Sequence, residues 1–355
     1  MKTIGLVMIV RNESRSLDKC LSLAEKLVDE IYITDTGSTD DTIEIAKKHH
    51  AHISNFQWCN DFSTARNYAL KQSDCDWNLI LDADEYLISG TKRDILGFIE
   101  AKNHVGAIER HDSYRESKGE ISQSTVFTTR LVPRGTFYEG KVHEQIVSEL
   151  PIAALPLVFE HDGYLQGGKG QRNLDILLAE LQERPGDSYT LYQIARTFWI
   201  MKEFAQADGY FEKFYQLAPV SGTGYRTSGV ISYIYNLLEL KKYEKGFQVI
   251  ENEKQRLDAY ADYHFACGTF YTQAIFSDVQ RYIGYLPEIE CSYRRCLEIG
   301  EIPEHEGVLG NGSFKAAYNL GVWFEVNGKV QEALYYYRRA ADDGYQPAIE
   351  RIQKI

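Results

Sequence analysis

The first 85 residues alternate short apolar runs with segments whose apolar residues recur at helical spacing. The apolar runs predict strands and the other segments predict helices. The predicted strands are residues 3–10, 29–35, 51–58 and 77–81, and the predicted helices are 17–27, 39–49 and 63–71. Strands that alternate with helices in this way are typical of a parallel, doubly wound sheet. We therefore expect an α/β domain with a mostly parallel sheet.

Polar residues follow three of the predicted strands: Arg11–Glu13, Asp35 and Asp82–Glu85. Ligands bind beyond the carboxyl ends of the strands in such sheets, so we expect these three groups to form one site. The segment Asp35–Thr42 lacks the glycine patterns GxxxxGK[ST] and GxGxxG. This disfavours a P-loop and a dinucleotide-binding fold.

Asp82 and Asp84 stand two positions apart, directly after an apolar run. If the strand continues through them, both side chains point to the same face. Two neighbouring carboxylates repel each other unless a cation lies between them, and Mg²⁺ or Mn²⁺ is the usual partner for oxygen ligands. The sequence thus predicts a divalent metal site here, and the alternative is a solvated acidic turn.

Composition and charge exclude some classes of function. The formal net charge of −12 argues against a protein that binds nucleic acid through a basic surface. The apolar start ends at Arg11 and is too short to span a bilayer, and no later stretch approaches a membrane span. The six cysteines show neither CxxC pairs nor metal-ligand spacing, so we expect reduced thiols and a cytoplasmic protein.

The pattern of the sequence changes after Arg172. Before it, a helix is predicted at residues 91–100, and strands are predicted at 105–110, 124–130, 137–147 and 155–159. A glycine-rich segment at 166–170 predicts a joint. Helical patterns rich in aromatic residues then continue to the end. We therefore expect two domains, at residues 1–170 and 171–355.

The helical half contains an internal repeat. Small or apolar residues occur at the same offsets after Ser188 and after Phe314. They are Leu191, Ile194, Ala195, Phe198, Ala207, Phe211 and Phe214 in one copy, and Ala317, Leu320, Gly321, Phe324, Ala333, Tyr337 and Ala340 in the other. These offsets are those of a tetratricopeptide repeat, a helix pair of ~34 residues. Residues 227–253 and 270–300 look like degenerate copies, so we expect an all-α solenoid of stacked helix pairs.

Four motifs of the first domain resemble, in order and spacing, family 2 of the nucleotide-sugar glycosyltransferases, which have the GT-A fold. They are Val10-Arg11-Asn12-Glu13, Ile33–Thr42, Asp61–Asn67 and Leu81–Glu85. Gly140–Glu144 and His161–Tyr164 are similar to later motifs of a subset with C-terminal tetratricopeptide repeats. That subset includes the S-glycosyltransferases that modify peptide bacteriocins, of the sublancin type. Much of the N-terminal extension expected for that type is missing here, which leaves the acceptor open.

The resemblance implies a UDP-sugar site and a metal site. The UDP-sugar site would contain Val10, Asn12, Glu13, Asp35, Arg66, Asp82 and Ala83, and the metal ligands would be Asp84, Asp82 and His161. Asp35 would accept a hydrogen bond from the uracil N–H, and the alternative is a helix-cap interaction. Arg66 would pair with Asp35 or face the nucleotide, unless it forms a purely structural ion pair. Asp82 would lie near the ribose or bind the metal through water, and a structural histidine is the alternative for His161.

Enzymes of family 2 invert the anomeric centre, so the resemblance implies a base opposite the leaving diphosphate. The candidates are His143 and Glu144. Neighbouring residues on a strand point to opposite faces, so only one of them is expected to reach the acceptor. We favour Glu144, and the alternative is a structural carboxylate.

The sequence therefore predicts a metal-dependent inverting glycosyltransferase. It would move a sugar from a UDP-sugar to a peptide or protein side chain, either Cys or Ser/Thr. The repeat domain would hold the acceptor or mediate a homodimer. Two alternatives stay open: transfer to a cell-envelope polysaccharide or lipid-linked glycan, and a non-catalytic scaffold whose repeats bind a partner. The carboxylates of the candidate site argue against the scaffold.

Overall fold

The chain folds into two compact units, Met1–Leu177 and Leu178–Ile355. The structure, a computed structural model, describes residues 2–101, 103–115, 121–163, 170–220, 224–302 and 306–355. The division between the units lies inside the helix that begins at Gly170. The rest of the glycine-rich segment predicted as a joint, residues 166–169, lies outside the described residues.

The first unit contains four helices in its described part before residue 170: α1 (Leu17–Ala24), α2 (Thr42–Lys48), α3 (Phe62–Leu70) and α4 (Lys92–Ala101). A short 3₁₀ turn, Glu25–Leu27, extends α1. The strands are β1 (Ile4–Val10), β2 (Glu30–Asp35), β3 (His52–Asn55), β4 (Trp77–Ile80), β5 (Glu85–Ser89), β6 (Val105–Arg115), β7 (Ile121–Pro133), β8 (Phe137–Glu139), β9 (Gln145–Val147) and β10 (Ile152–His161).

The main sheet has the order β3-β2-β1-β4-β7-β6-β10-β5. Its first four strands are parallel to one another, since β1 pairs with β2 and β4, and β2 pairs with β3. The strand β7 is antiparallel to both β4 and β6. The sheet is therefore mixed, with a parallel half built from the strand–helix alternation of the first 80 residues. This confirms the expected α/β fold.

Helices cover both faces of β1, which is why its residues form a continuous apolar run. Leu6 and Met8 lie in one core cluster with Leu21 of α1. Val7 lies in another cluster with Ala69 of α3. Alternate residues of a strand point to opposite faces, so α1 and α3 pack on opposite sides of the sheet.

One strand prediction was wrong. The segment 137–147 forms two short antiparallel strands, β8 and β9, instead of one. Gly140 (φ 91°) and His143 (φ 54°) adopt left-handed backbone conformations that interrupt the extended chain. Glu144 and His143 therefore lie in a bend, and the strand argument about their directions does not apply. The strand β4 also ends at Ile80, so Asp82 and Asp84 lie in the link to β5.

The second unit is helical apart from the two-residue strand β11 (Gly307–Val308) in its described part. The helix α5 (Gly170–Glu183) enters it, and the others are α6 (Ser188–Ile200), α7 (Phe204–Leu217), α8 (Gly224–Glu239), α9 (Tyr243–Glu253), α10 (Ala261–Ser277), α11 (Val279–Tyr282), α12 (Leu286–Ile299), α13 (Phe314–Val326), α14 (Val330–Asp342) and α15 (Gln346–Ile352). Of the helices described, none is both long and apolar enough to cross a membrane.

The predicted repeats correspond to the helix pairs α6–α7 and α13–α14. Ala207 and Phe211 of the first pair are buried, as are Ala333 and Tyr337 of the second. Gly321 lies so close to the ring of Tyr337 that a Cβ there would be 2.6 Å from a ring carbon. The repeat offsets thus mark the positions where helices pack, which confirms the tetratricopeptide-like fold. All six cysteines have free thiols.

Candidate active site

The loops that follow β1 and β2 are joined by hydrogen bonds. The side-chain oxygen of Asn12, a residue in the left-handed conformation (φ 56°), accepts from the Thr39 N–H at 2.8 Å. The N–H of Asn12 donates to Ser38 Oγ at 3.0 Å, and the N–H of Glu13 donates to Thr42 Oγ1 at 2.8 Å. Two of the three polar groups predicted to share a site are therefore held together at adjacent strand ends.

Val10 and Asp35 end their strands side by side, as the sequence predicted. The carbonyl oxygen of Val10 accepts from the N–H of Thr36 at 2.9 Å. The carboxylate of Asp35 is buried, and its oxygens accept from the N–H of Ser38 at 3.0 and 3.2 Å. This bond closes the turn after β2. It fixes the direction of the carboxylate at the strand end.

Arg66 lies on α3, whose first turn is capped by Asp61 through a bond from the Thr64 N–H at 2.9 Å. The guanidinium of Arg66 donates from Nη2 to Asp82 Oδ1 at 2.7 Å and from Nε to Glu144 Oε1. The sequence left three roles open for Arg66: a pair with Asp35, a position facing the nucleotide, or a purely structural ion pair. In the structure its carboxylate partners are Asp82 and Glu144.

Asp82 is held by two arginines. Its Oδ1 accepts from Arg66, and its Oδ2 accepts from Arg130 Nη2 at 2.6 Å. Burial raises the pKa of Asp82, but the two guanidinium groups outweigh this effect and hold the pKa well below its usual value. Ala83, the next residue, is buried in the core of the sheet. Asp82 is therefore an ionised link in an ion-pair network.

The network continues through Glu85, which belongs to the predicted site, and through three residues that were not predicted as part of it: Arg110, Asp112 and Arg130. Arg130 also donates to Glu85, and Arg110 donates to Glu85 Oε1 at 2.9 Å and to Asp112 Oδ1 at 2.7 Å. Positive and negative side chains alternate along it, in the order His161, Asp112, Arg110, Glu85, Arg130, Asp82, Arg66 and Glu144. One sequence feature could have indicated the two arginines: Arg110 and Arg130 are the last residues of the predicted strands 105–110 and 124–130.

Asp84 faces His161 across a small gap. His161 Nε2 lies 3.6 Å from Asp84 Oδ1, and His161 Nδ1 lies 2.9 Å from Asp112 Oδ1. Burial lowers the pKa of His161, but the interactions with Asp112 and Asp84 outweigh it and raise the pKa to about 10. A Cβ on Gly163 would lie 2.3 Å from Asp84 Oδ2 and 2.5 Å from His161 Nε2. The glycine thus keeps the space between the two side chains open.

This pair fits a divalent cation that takes its other ligands from a substrate. Asp84 offers a carboxylate oxygen and His161 offers an imidazole nitrogen, both acceptable to Mn²⁺. Among the residues that the structure describes, no three acidic, histidine or cysteine side chains come together as a metal cluster. A cation bound here would therefore need oxygens from a bound molecule or water. Asp82 points to Arg66 and Arg130 instead.

Parts of the chain are similar in sequence to known proteins. Residues 6–151 match the family model described as "Glycosyl transferase family 2". A TPR repeat-containing protein of Synechococcus elongatus is 46% identical over 206 residues, which cover 53% of this chain and 50% of that protein. The SPbeta prophage-derived glycosyltransferase SunS of Bacillus subtilis is 28% identical over 223 residues, which cover 59% of this chain and 53% of that protein.

The chain thus spans about half the length of the curated relatives it matches. Among solved structures, MamA is similar with a TM-score of 0.40 and 15% identity, over 53% of this chain and 93% of that one. The tetratricopeptide-like character of the second unit rests on its own repeat offsets and helix pairs. Residues 6–151, in the first unit, are similar to glycosyl transferase family 2.

Proposed function

We propose that this protein transfers a sugar from a UDP-sugar to a peptide or protein side chain, with inversion at the anomeric carbon and with Mg²⁺ or Mn²⁺. The observation that carries this proposal is the pair Asp84–His161, in which Asp84 lies in the link after β4 and His161 ends β10, in the unit that is similar to glycosyl transferase family 2. The similarity of residues 6–151 to the family supports glycosyl transfer. The pair supports the use of a cation by this particular chain.

The donor is proposed to bind across the ends of β1, β2 and β4. Asp35 would accept from the uracil N–H, because its carboxylate is already directed by Ser38 at the end of β2. Asp84 and His161 would hold the cation, with the diphosphate supplying further oxygen ligands. A bound divalent cation neutralises the diphosphate and makes it a better leaving group.

Glu144 is proposed to remove the proton of the acceptor. The acceptor S–H or O–H gives its proton to the carboxylate, and its electron pair forms the new bond to the anomeric carbon. The bond between that carbon and the phosphate oxygen breaks, and UDP leaves with the electron pair. Arg66 holds Glu144 Oε1, which fixes the direction of the carboxylate. His143, in the same bend, is the second candidate.

The helical unit is proposed to bind the peptide acceptor. Stacked helix pairs form extended concave surfaces that suit an extended chain. The choice between a thiol and a hydroxyl acceptor is part of the test.

The experiment incubates the full chain with Mn²⁺, a panel of UDP-sugars and peptides encoded beside the gene, followed by mass spectrometry. We expect one peptide to gain the mass of one sugar residue as UDP is released. Fragmentation then locates the modified Cys, Ser or Thr. Asp84→Asn is the inactive control. The proposal fails if no UDP-sugar of the panel yields a modified peptide, while a lipid-linked or polysaccharide acceptor is glycosylated instead.

A further inference from the structure

We propose that Asp112 is a positioning residue that directs His161 towards the cation site. This inference rests on the proposed function, since it needs a cation between Asp84 and His161. It adds a residue from the middle of β6 that lies outside every motif singled out in the sequence.

The geometry places one carboxylate at each ring nitrogen of His161. Asp112 Oδ1 lies 2.9 Å from Nδ1, and Asp84 Oδ1 lies 3.6 Å from Nε2. When a cation takes the place of the Nε2 proton and Nδ1–H donates to Asp112, the lone pair of the neutral ring is on Nε2. That nitrogen faces Asp84 and the space beside Gly163. A carboxylate that accepts from the second nitrogen is the usual partner of a metal-binding histidine.

Asp112 is itself held in a fixed orientation. The guanidinium of Arg110 donates from Nε to Oδ1 at 2.7 Å and from Nη2 to Oδ2 at 3.0 Å. Arg110 also donates from Nη1 to Glu85, whose side chain is fully buried. Both oxygens of Asp112 are thus engaged by Arg110, and the carboxylate cannot rotate away from His161 without breaking these bonds.

The strand register explains why these residues meet. His161 pairs with Asp112 in the parallel ladder of β10 and β6, and with Glu85 in the antiparallel ladder of β10 and β5. Asp84 precedes the first residue of β5. Three strands therefore bring Asp84, Asp112 and His161 to one place. Rigid elements of this kind hold a site more accurately than loops do.

The variant Asp112→Asn tests the inference with almost no change of shape. If the amide oxygen faces His161, the amide NH₂ opposes a donor of Arg110. If the amide turns over, its NH₂ takes the position of Oδ1, where it opposes the Nε–H of Arg110 and faces Nδ1 of His161, which favours the tautomer with the proton on Nε2. In either arrangement, the lone pair of His161 Nε2 is directed less firmly towards Asp84.

The matched control is Glu109→Gln on the same strand. Glu109 Oε1 lies 2.7 Å from His111 Nε2, so this is a second carboxylate–histidine pair of β6. Residues 109 and 111 point to the face opposite residues 110 and 112. We therefore expect Glu109→Gln to leave the cation site unchanged.

The measurement is Mn²⁺ binding to the full chain by electron paramagnetic resonance, with electron spin-echo modulation to detect a nitrogen ligand. The wild type is expected to show nitrogen modulation that disappears in His161→Gln. Asp112→Asn should lower the Mn²⁺ affinity by ~10–100-fold and weaken this modulation. Circular dichroism checks the fold. If Asp112→Asn fails to fold, Arg110→Lys serves instead, because lysine keeps the positive charge but lacks the paired N–H donors of the guanidinium. It is expected to lower the Mn²⁺ affinity and to weaken the nitrogen modulation in the same way.

The outcomes separate this inference from the proposed function. Unchanged Mn²⁺ affinity and nitrogen modulation in folded Asp112→Asn would overturn the role of Asp112, and sugar transfer would stand. A wild type that binds Mn²⁺ without nitrogen modulation would overturn the role of His161 as well. Loss of Mn²⁺ affinity in Glu109→Gln equal to that in Asp112→Asn would mean a general weakening of β6 and would also contradict the inference.

Discussion

Arg66 and Glu144 stand 78 positions apart in the sequence, and the Nε–H of Arg66 donates to Glu144 Oε1. Both side chains are largely buried. The same guanidinium donates to Asp82 at 2.7 Å. One arginine thus joins the proposed base to the acidic link after β4, so that the two parts of the site keep a fixed separation.

The two aspartates after β4 are expected to have different roles. Asp84→Asn should weaken Mn²⁺-dependent binding of UDP by about tenfold or more, because it removes the charge of the proposed ligand beside His161. Asp82→Asn should instead lower the free energy of unfolding, because its oxygens pair with Arg66 and Arg130. Calorimetry of UDP with Mn²⁺ and with EDTA measures the first effect. Equal UDP affinity of the wild type in both solutions would contradict the metal assignment.

Glu144→Gln should lower the rate of transfer by ~10²–10⁴-fold while UDP binds with unchanged affinity. Glutamine keeps the shape and can still accept from Arg66, but it cannot take a proton at neutral pH. His143→Ala is the comparison variant from the same bend. The rate is measured against pH for all three proteins, with the UDP affinity beside it.

A thiol acceptor would reduce the expected loss for Glu144→Gln. The pKa of cysteine is about 8.5, so some thiolate is present at neutral pH without a base. A hydroxyl acceptor has no comparable ionised fraction at neutral pH. Unchanged turnover of Glu144→Gln with a serine or threonine acceptor would remove Glu144 from the mechanism. A variant that loses its fold would identify a structural carboxylate.

Much of the first unit could be predicted because each element carries its own periodicity. The apolar run of β1 and the helical spacing of α1 are visible within ten residues each. The segment 137–147 was misjudged because Gly140 was not interpreted as a break in the strand, and because His143 adopts a left-handed conformation that its residue type does not predict. Local pattern cannot reveal such a bend when tertiary contacts impose it.

The part of the site that follows from patterns within single elements could also be predicted. Residues at the ends of β1, β2 and β4 could be brought together from the alternation alone, since parallel strands end at one edge. Arg110, Asp112 and Arg130 could not, because their place depends on the pairing of β6 with β7 and β10. The pairing of β6 with β10 joins strands that are not consecutive in the chain, and no local spacing encodes its register.

Arg130 should be a major source of stability in the first unit. Its replacement by methionine leaves Asp82 and the fully buried Glu85 without this guanidinium. Removing one partner of a buried ion pair costs about 3–5 kcal/mol of unfolding free energy. Arg134→Gln is the matched control, because its pair with Asp74 is exposed and is worth about 0–1 kcal/mol.

Hydrogen exchange of the β1 and β4 amides measures this stability without assuming that the two units unfold together. We expect Arg130→Met to speed exchange strongly and Arg134→Gln to leave it nearly unchanged. Equal effects of the two variants would mean that the buried network contributes no more than a surface pair.

Two glycines of the helical unit should respond in opposite directions when changed to alanine. A Cβ on Gly246 of α9 would lie 2.0 Å from the ring of Phe270 in α10, so Gly246→Ala forces these helices apart. Overpacking of this kind costs about 1–3 kcal/mol. Gly209 of α7 has open space around the same position. Gly209→Ala should therefore stabilise the helix by about 0.5–1 kcal/mol, since alanine loses less backbone entropy on folding.

Urea unfolding followed by circular dichroism at the helical band compares the two variants with the wild type. A Gly246→Ala protein as stable as Gly209→Ala would contradict the close packing of α9 against α10 and, with it, the stacking of helix pairs in this unit.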